Sequence, residues 1–173
     1  MKQKRRVFKT ILNVFFYLLI AILVMFSIAN IKVKRENDIP NIFGIGFLAV
    51  QSDSMVGNNK DSFNKGDLIV VKILNDKTKE NLKVGDVITF YDLTIRQFNT
   101  HRVVDINQAN KTVTTKGDNT QANDNPIALR NVLAIHSSTI AKAGSKLDYL
   151  RSPIGFALFI ILPIFVIFII TGV

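Results

Sequence analysis

The chain of 173 residues contains no cysteine and only two histidines, His101 and His136. Without cysteine there is no disulfide framework, no zinc–thiolate or iron–sulfur site and no thiol nucleophile. These absences exclude thiol proteases and sortase-like transpeptidases. Two histidines are also too few for a histidine-rich metal site. We therefore expect neither a cofactor nor a bound metal.

Acidic residues are missing from both ends of the chain, because all 13 lie between Glu36 and Asp148. The formal net charge is +9, and five of the 22 basic residues fall within the first nine positions. Residues 32–151 hold 17 basic and 13 acidic residues, a net of +4. No basic stripe with interleaved aromatics is present there, so nucleic acid is not an expected partner.

Two long runs without any charge flank the polar part of the chain, over residues 11–31 and 154–173. At about 1.5 Å per residue the first spans roughly 30 Å, the thickness of a bilayer core, whereas a signal-peptide core has about 7–15 residues. We predict a retained transmembrane helix over residues 11–31, after a basic segment 1–10 that the positive-inside rule places in the cytoplasm. Pro163 is tolerable in a second membrane helix over residues 154–173, for which a re-entrant or interfacial helix is the alternative.

Two spans would leave both termini in the cytoplasm of a cell and residues 32–153 on the extracytoplasmic side of its membrane. That middle region is long enough for one domain with its own core. Its short runs of Val, Ile and Thr between Gly, Asn and Asp predict a mainly β fold. The candidate strands are Gly46–Gln51, Asp67–Leu74, Val87–Tyr91, His101–Ile106, Lys111–Lys116 and Val132–Ile140.

Three turns are also predicted. A hairpin turn is expected at residues 107–110. Two Gly-Asp pairs, at 66–67 and 85–86, each precede a strand, and we interpret Asp67 and Asp86 as structural turn residues.

Ser54 is the best available nucleophile. It lies in Ser52-Asp53-Ser54-Met55, directly after the apolar run 42–50, where its hydroxyl could face a substrate at the edge of a domain. Serine at the end of a strand is, however, usually a turn former.

His101 lies at the start of the predicted strand, in Thr100-His-Arg-Val-Val104. An ordinary imidazole titrates near pH 6.5 and can take a proton from a hydroxyl and return it to a leaving amine. Asp118 and Asp124 lie six residues apart in one loop, and either could accept the second imidazole N–H. The same loop could instead be an Asx-rich turn or a weak cation site. His136 has no acidic neighbour in the sequence and is interpreted as structural.

Four sequence blocks together resemble type I signal peptidases of the endoplasmic-reticulum and archaeal kind. They are Ser-x-Ser-Met after an apolar strand, the Gly-Asp pairs, His-Arg-Val, and Lys-Gly-Asp-Asn with a second Asp. Similar enzymes occur in spore-forming bacteria. The blocks cover most of residues 45–135. The resemblance implies a signal-peptidase-like β domain that cleaves secretory preproteins at the surface of the lipid bilayer.

The resemblance implies a role for each matching residue. Ser54 would be the acylated nucleophile, and His101 would replace the lysine base of the ordinary bacterial branch. Asp124 would orient the histidine, and Asp118 matches a further aspartate of the family. Ser52 would help the Ser54 backbone N–H to bind the oxyanion, and Met55 would line a pocket.

Two positions depart from the family pattern, with Asp53 in place of Gly and Gly57 in place of Pro. A carboxylate that faced the reaction would oppose the oxyanion, so we expect Asp53 to point away. Two other functions stay open at this point. A non-catalytic, membrane-tethered β module would keep Ser54, His101 and Asp124 apart, and a self-cleaving β-fold protease of the cytosolic Ser-Lys type is disfavoured by the histidine and the two spans.

Overall fold

The computed structural model describes residues 2–31 and 38–171. Its contacts divide the chain into two compact units, one made of residues 1–31 with 146–173 and the other of residues 32–145. The described residues of the first unit are almost all helical, and the second unit is mainly β-sheet.

The β unit holds one antiparallel sheet of eight strands in the order β1-β2-β3-β8-β4-β5-β6-β7. This confirms the predicted mainly β fold. The strands are β1 Asn41–Ile42, β2 Ile45–Ala49, β3 Leu68–Ile73, β4 Val87–Asp92, β5 Gln97–Asn107, β6 Thr112–Lys116, β7 Ile127–Ala128 and β8 Val132–Ile140.

Each of the six predicted strands is present, with ends shifted by a few residues. Three features were not predicted: β1, β7 and the first part of β5. A strand of two residues shows no alternation that a sequence could reveal. Residues 97–100 pair with β4 across a turn at 93–96, but they are polar or only half-buried and so carry a weak pattern.

Alternation of burial along the strands positions the site. In β5, His101 and Val103 are buried while their neighbours are more exposed, and in β6 the buried residues are Val113 and Thr115. Val103 pairs directly with Thr115, so these four side chains share the inner face of the sheet. The two predicted Gly-Asp turns are present: Gly66 and Gly85 adopt φ of +87° and +100°.

The aspartate side chains of those turns accept hydrogen bonds from backbone N–H groups. Asp67 accepts hydrogen bonds from the Asn64 and Lys142 N–H groups, and Asp86 accepts one from Lys83. The hairpin between β5 and β6 closes at the predicted position, where Asn107 Oδ1 accepts the Asn110 N–H.

The described helices are α1 Lys2–Ile31, α2 Asp76–Lys79, α3 Ala143–Arg151, α4 Pro153–Phe156 and α5 Leu162–Thr171, with a π-helical turn at Ala157–Ile161. Pro163 lies just after that turn and lacks the N–H that a regular helix would bond to residue 159. A π-helical turn accommodates such an interruption.

Two windows are long and apolar enough to cross a membrane, Val7–Val24 and Pro153–Ile170, and only 6% and 11% of their residues are buried. The apolar core helix of a soluble domain would be mostly buried. The windows overlap the two runs predicted to span the membrane, but they begin earlier, at Val7 instead of residue 11 and at Pro153 instead of residue 154. The exact domain limits and the side of the membrane stay predictions, and residues 32–37 of the predicted extracytoplasmic domain lie outside the described residues.

Candidate active site

Ser54, His101 and Asp124 lie in a continuous hydrogen-bonded row. The Ser54 Oγ is 3.0 Å from His101 Nε2, and His101 Nδ1 is 2.7 Å from Asp124 Oδ2. A carboxylate on Nδ1 fixes the proton there, which leaves Nε2 free to accept the proton of the Ser54 hydroxyl. The non-catalytic alternative predicts that these three residues are apart, and the structure places them in contact.

Different parts of the fold supply the three residues. Ser54 lies in the turn after β2, His101 points inward from β5, and Asp124 returns to the sheet after an irregular loop. The return is anchored at β6, where the Asp124 N–H donates to the Thr115 carbonyl over 2.8 Å. His101 is only 5% exposed, so its ring is held by the surrounding protein.

The Asp124 carboxylate has two donors on one oxygen. The Thr115 hydroxyl donates to Oδ2 over 2.6 Å, beside the bond from His101. Burial by itself would raise the pKa of Asp124, but the bonds from His101 and Thr115 outweigh burial and hold that pKa below its usual value. The acid is therefore ionised at neutral pH and can stabilise a positive charge on the imidazole.

Asp118 lies in the same loop but does not contact His101. Arg102 Nε and Nη2 donate to the two oxygens of Asp118 over 2.8 and 2.7 Å, and Ser62 donates to it over 2.6 Å. The Arg102 guanidinium holds the pKa of Asp118 at about 2. Of the two aspartates that the sequence offers to the histidine, the structure places Asp124 on it and Asp118 on Arg102.

Arg102 joins three loops around this pair. It also contacts Asp61 and donates to the Gly85 carbonyl over 2.9 Å. The hydrogen bond from Arg102 lowers the pKa of Asp61, while Asp118 raises the pKa of Arg102. The turn after Ser54, the second Gly-Asp turn and the loop of Asp124 are thus held together.

Ser52 and Met55, both predicted to bind substrate, have different surroundings. Ser52 Oγ lies 3.2 Å from Ser54 Oγ and borders an open cleft. Met55 is fully buried among Ile39, Phe63 and Val71 and is not one of the residues that line the cleft. The Met55 side chain thus packs in the hydrophobic core, and its predicted role in a substrate pocket stays a prediction.

The serine turn is held by three contacts that the sequence did not single out. The Asn119 N–H donates to the Ser54 carbonyl over 2.8 Å, and Asn119 Nδ2 donates to the Asp53 carbonyl over 3.2 Å. The Asp53 carboxylate accepts the Lys65 N–H over 3.2 Å, so it is engaged by that backbone group. Glycine at position 117 allows the loop to approach the serine turn closely. A Cβ there would lie 2.6 Å from the Ser54 carbonyl oxygen and 3.1 Å from His101 Nε2.

A cleft of about 860 Å³ opens beside Ser54. Its walls are the end of β2 with the following turn, residues 48–52, and the β4–β5 arm, residues 95–100. Tyr91, Phe63 and Ile69 complete a lining that is partly apolar. The cleft is large enough for several residues of an extended peptide.

His136 lies apart from the row. Its Nε2 is 2.9 Å from Thr139 Oγ1 and its ring stacks on Phe63, and burial lowers its pKa. Within residues 2–31 and 38–171, no three acidic or histidine side chains are grouped so that they could hold a metal ion.

A hydroxyl, an imidazole and a carboxylate in this order are the working parts of a serine hydrolase. The sequence itself is 35% identical over 129 residues to Signal peptidase I W of Bacillus subtilis (strain 168), across 73% of this chain and 64% of the relative. The chain is therefore homologous to a type I signal peptidase of a spore-forming bacterium. It spans slightly less than two thirds of the length of that relative, and no protein-family model matches it.

Proposed function

We propose that this chain is a membrane-bound serine endopeptidase that removes signal peptides from secreted preproteins. The observation that carries the proposal is the Ser54–His101–Asp124 row, with distances of 3.0 and 2.7 Å, at the side of an open cleft. The similarity to Signal peptidase I W supports the choice of substrate.

The first half of the proposed reaction acylates the enzyme. Ser54 Oγ attacks the carbonyl carbon of the scissile bond while its proton moves to His101 Nε2. The resulting oxyanion is bound by the Ser54 N–H and the Ser52 hydroxyl, which lies 3.2 Å from Ser54 Oγ. The imidazolium, stabilised by Asp124, then gives its proton to the leaving amine, and the C–N bond breaks.

The second half releases the signal peptide. A water molecule gives a proton to His101 and attacks the acyl carbon, and the proton returns to Ser54 Oγ as the ester bond breaks. Both proton transfers of this half use His101 as the base and then as the acid.

The two apolar windows give the enzyme and its substrate a common location. A signal peptide inserts in the bilayer, and an enzyme tethered there meets it at a high effective concentration. We further propose that the β unit lies on the extracytoplasmic side and both termini in the cytoplasm, because five basic residues precede the first apolar run.

The decisive experiment uses the Ser54→Ala variant of the full chain in membranes with one preprotein. The precursor should accumulate uncut, with a loss of at least about 10³-fold in the cleavage rate, because no nucleophile remains. Ser138→Ala, which changes an exposed serine on β8, is the matched control and should cleave normally. Normal processing by Ser54→Ala would refute the proposal.

Sidedness is tested separately by protease protection of sealed vesicles. A cytoplasmic β unit would refute the proposed orientation and leave the chemistry unaffected.

A further inference from the structure

We propose that Thr115 is a positioning residue of this site, whose hydroxyl holds the Asp124 carboxylate against His101. This inference rests on the proposed serine peptidase function. Thr115 belongs to β6, between the loop of the two aspartates and the strand of the histidine, and it is not among the residues that line the cleft.

Thr115 contacts Asp124 twice. Its hydroxyl donates to the carboxylate oxygen Oδ2 over 2.6 Å, and its carbonyl accepts the Asp124 N–H over 2.8 Å. One bond fixes where the backbone of Asp124 returns to the sheet, and the other fixes where its carboxylate points. Together they set the position of Oδ2, the same atom that accepts the His101 Nδ1–H over 2.7 Å.

Asp124 needs such support because of its place in the chain. It follows β6 by eight residues, in a stretch with no helix or strand, and 27% of its side chain is exposed. A carboxylate on an irregular loop has several rotamers that would satisfy it in water. Thr115, which is fully buried on the inner face of the sheet, offers a fixed donor in only one direction.

Packing alone does not explain why a threonine occupies position 115. Valine has almost the same shape and would fill a fully buried position on a β-strand without a hydroxyl to satisfy. A buried threonine there needs a partner for its hydroxyl, and the Asp124 carboxylate supplies it by accepting the hydrogen bond. Thr89 provides the contrast: it is equally buried, but its hydroxyl pairs with the Thr100 hydroxyl over 2.9 Å and not with the row.

The experiment compares Thr115→Val with Thr89→Val in the full chain, with initial rates on one preprotein. Each variant loses one buried hydroxyl, so their melting temperatures should fall by similar amounts. Thr115→Val alone should lower kcat by roughly 10- to 100-fold with KM nearly unchanged, because Asp124 no longer holds the imidazole in place. Thr115→Ser, which restores the hydroxyl, should recover kcat to within about threefold.

Several results would overturn the inference. They are a wild-type kcat for Thr115→Val, an equal loss of kcat in Thr89→Val, or a Thr115→Ser variant as slow as Thr115→Val. If Thr115→Val does not fold, Thr115→Ala removes the hydroxyl without adding a methyl group and is judged by the same criteria.

Ser54→Ala in the same assay separates this inference from the proposed function. If Ser54→Ala cleaves normally, the proposed function fails. If Ser54→Ala is inactive and Thr115→Val has the kcat of the wild type, only the role of Thr115 fails.

Discussion

His101 and Arg102 are consecutive residues of β5, and each pairs with an aspartate of the same loop. His101 contacts Asp124 on the inner face of the sheet, next to Ser54, while Arg102 contacts Asp118 among the surrounding turns. One strand and one loop thus bring together two pairs, an imidazole with one aspartate and a guanidinium with the other. A guanidinium is charged at every pH that a protein meets, whereas an imidazole gains and loses its proton near neutrality.

Because of that difference, we expect the arginine pair to contribute to stability and the histidine pair to contribute to catalysis. A permanent pair holds its loops in place but cannot transfer a proton, so the cluster of Arg102, Asp118, Asp61 and Ser62 (the arginine cluster) serves as a clamp. The row of Ser54, His101 and Asp124 can move a proton because an imidazole both accepts and donates one. Changes in the row should therefore reduce the rate, and changes in the arginine cluster should reduce the stability.

The largest expected effect is that of Asp124→Asn. The amide cannot accept the His101 Nδ1–H as a carboxylate does, so the wrong tautomer and an unsupported imidazolium should lower kcat by roughly 10⁴-fold, the loss known for such a change in a Ser-His-Asp triad. Single-turnover cleavage of a preprotein measures it, and the melting temperature should change little. Asp124→Asn with more than a tenth of the wild-type kcat would contradict the assignment of Asp124.

Asp118→Asn should have the opposite profile. It leaves Arg102, only 16% exposed, without its bidentate partner, which should destabilise the folded state by about 2–3 kcal/mol, while kcat stays within about tenfold of the wild type. Thermal unfolding in detergent measures the loss of stability. The control is Asp105→Asn, which changes an exposed acid on β5, the strand of Arg102. A large loss of kcat without a loss of stability would show that Asp118 belongs to the chemistry.

The same variant has a pH signature. Because the pKa of Asp118 is depressed to about 2 in the folded protein, its contribution to stability is complete above the ordinary value of 3.8 and is lost as the pH falls through about 2. The wild type should therefore lose more stability than Asp118→Asn between about pH 4 and pH 2.

The smallest effects are expected for two glycines, one beside each site. Gly117→Ala would place a Cβ 2.6 Å from the Ser54 carbonyl and 3.1 Å from His101 Nε2, so we expect kcat to fall by roughly 10- to 100-fold. Gly57→Ala would place a Cβ 3.1 Å from Ser62 Oγ and 3.2 Å from the Asp118 Cβ, so we expect a loss of about 1 kcal/mol in stability with kcat unchanged. If the two variants exchanged these effects, the division between row and clamp would be wrong.

The sequence predicts the sheet well where a strand has a buried face. Buried and half-buried residues alternate along most of β3 and at the start of β8, whereas the first four residues of β4 are all buried. β1 and β7 escape prediction because two residues carry no periodic pattern, whether the partner strand is close in the sequence, as β2 is to β1, or farther away, as β6 is from β7.

For the site, the sequence indicates which residues could be catalytic, but it does not indicate which of them contact one another. The sequence leaves Asp118 and Asp124 as alternatives, and only the return of Asp124 to β6 distinguishes them. Met55 directly follows Ser54 in the sequence, but this proximity does not reveal that its side chain packs in the hydrophobic core. Thr115 and Asn119 look like a strand residue and a turn residue, since their contacts with the row depend on three-dimensional placement.

The order of the parts along the chain has a consequence for synthesis. Of the three residues of the row Ser54 is made first, and Asp124 is the seventieth residue after it. The bonds from Asn119 to the serine turn and from Thr115 to the acid can form only once those residues have been made. A growing chain therefore carries the Ser54 hydroxyl without its base and its acid for much of the synthesis of the β unit.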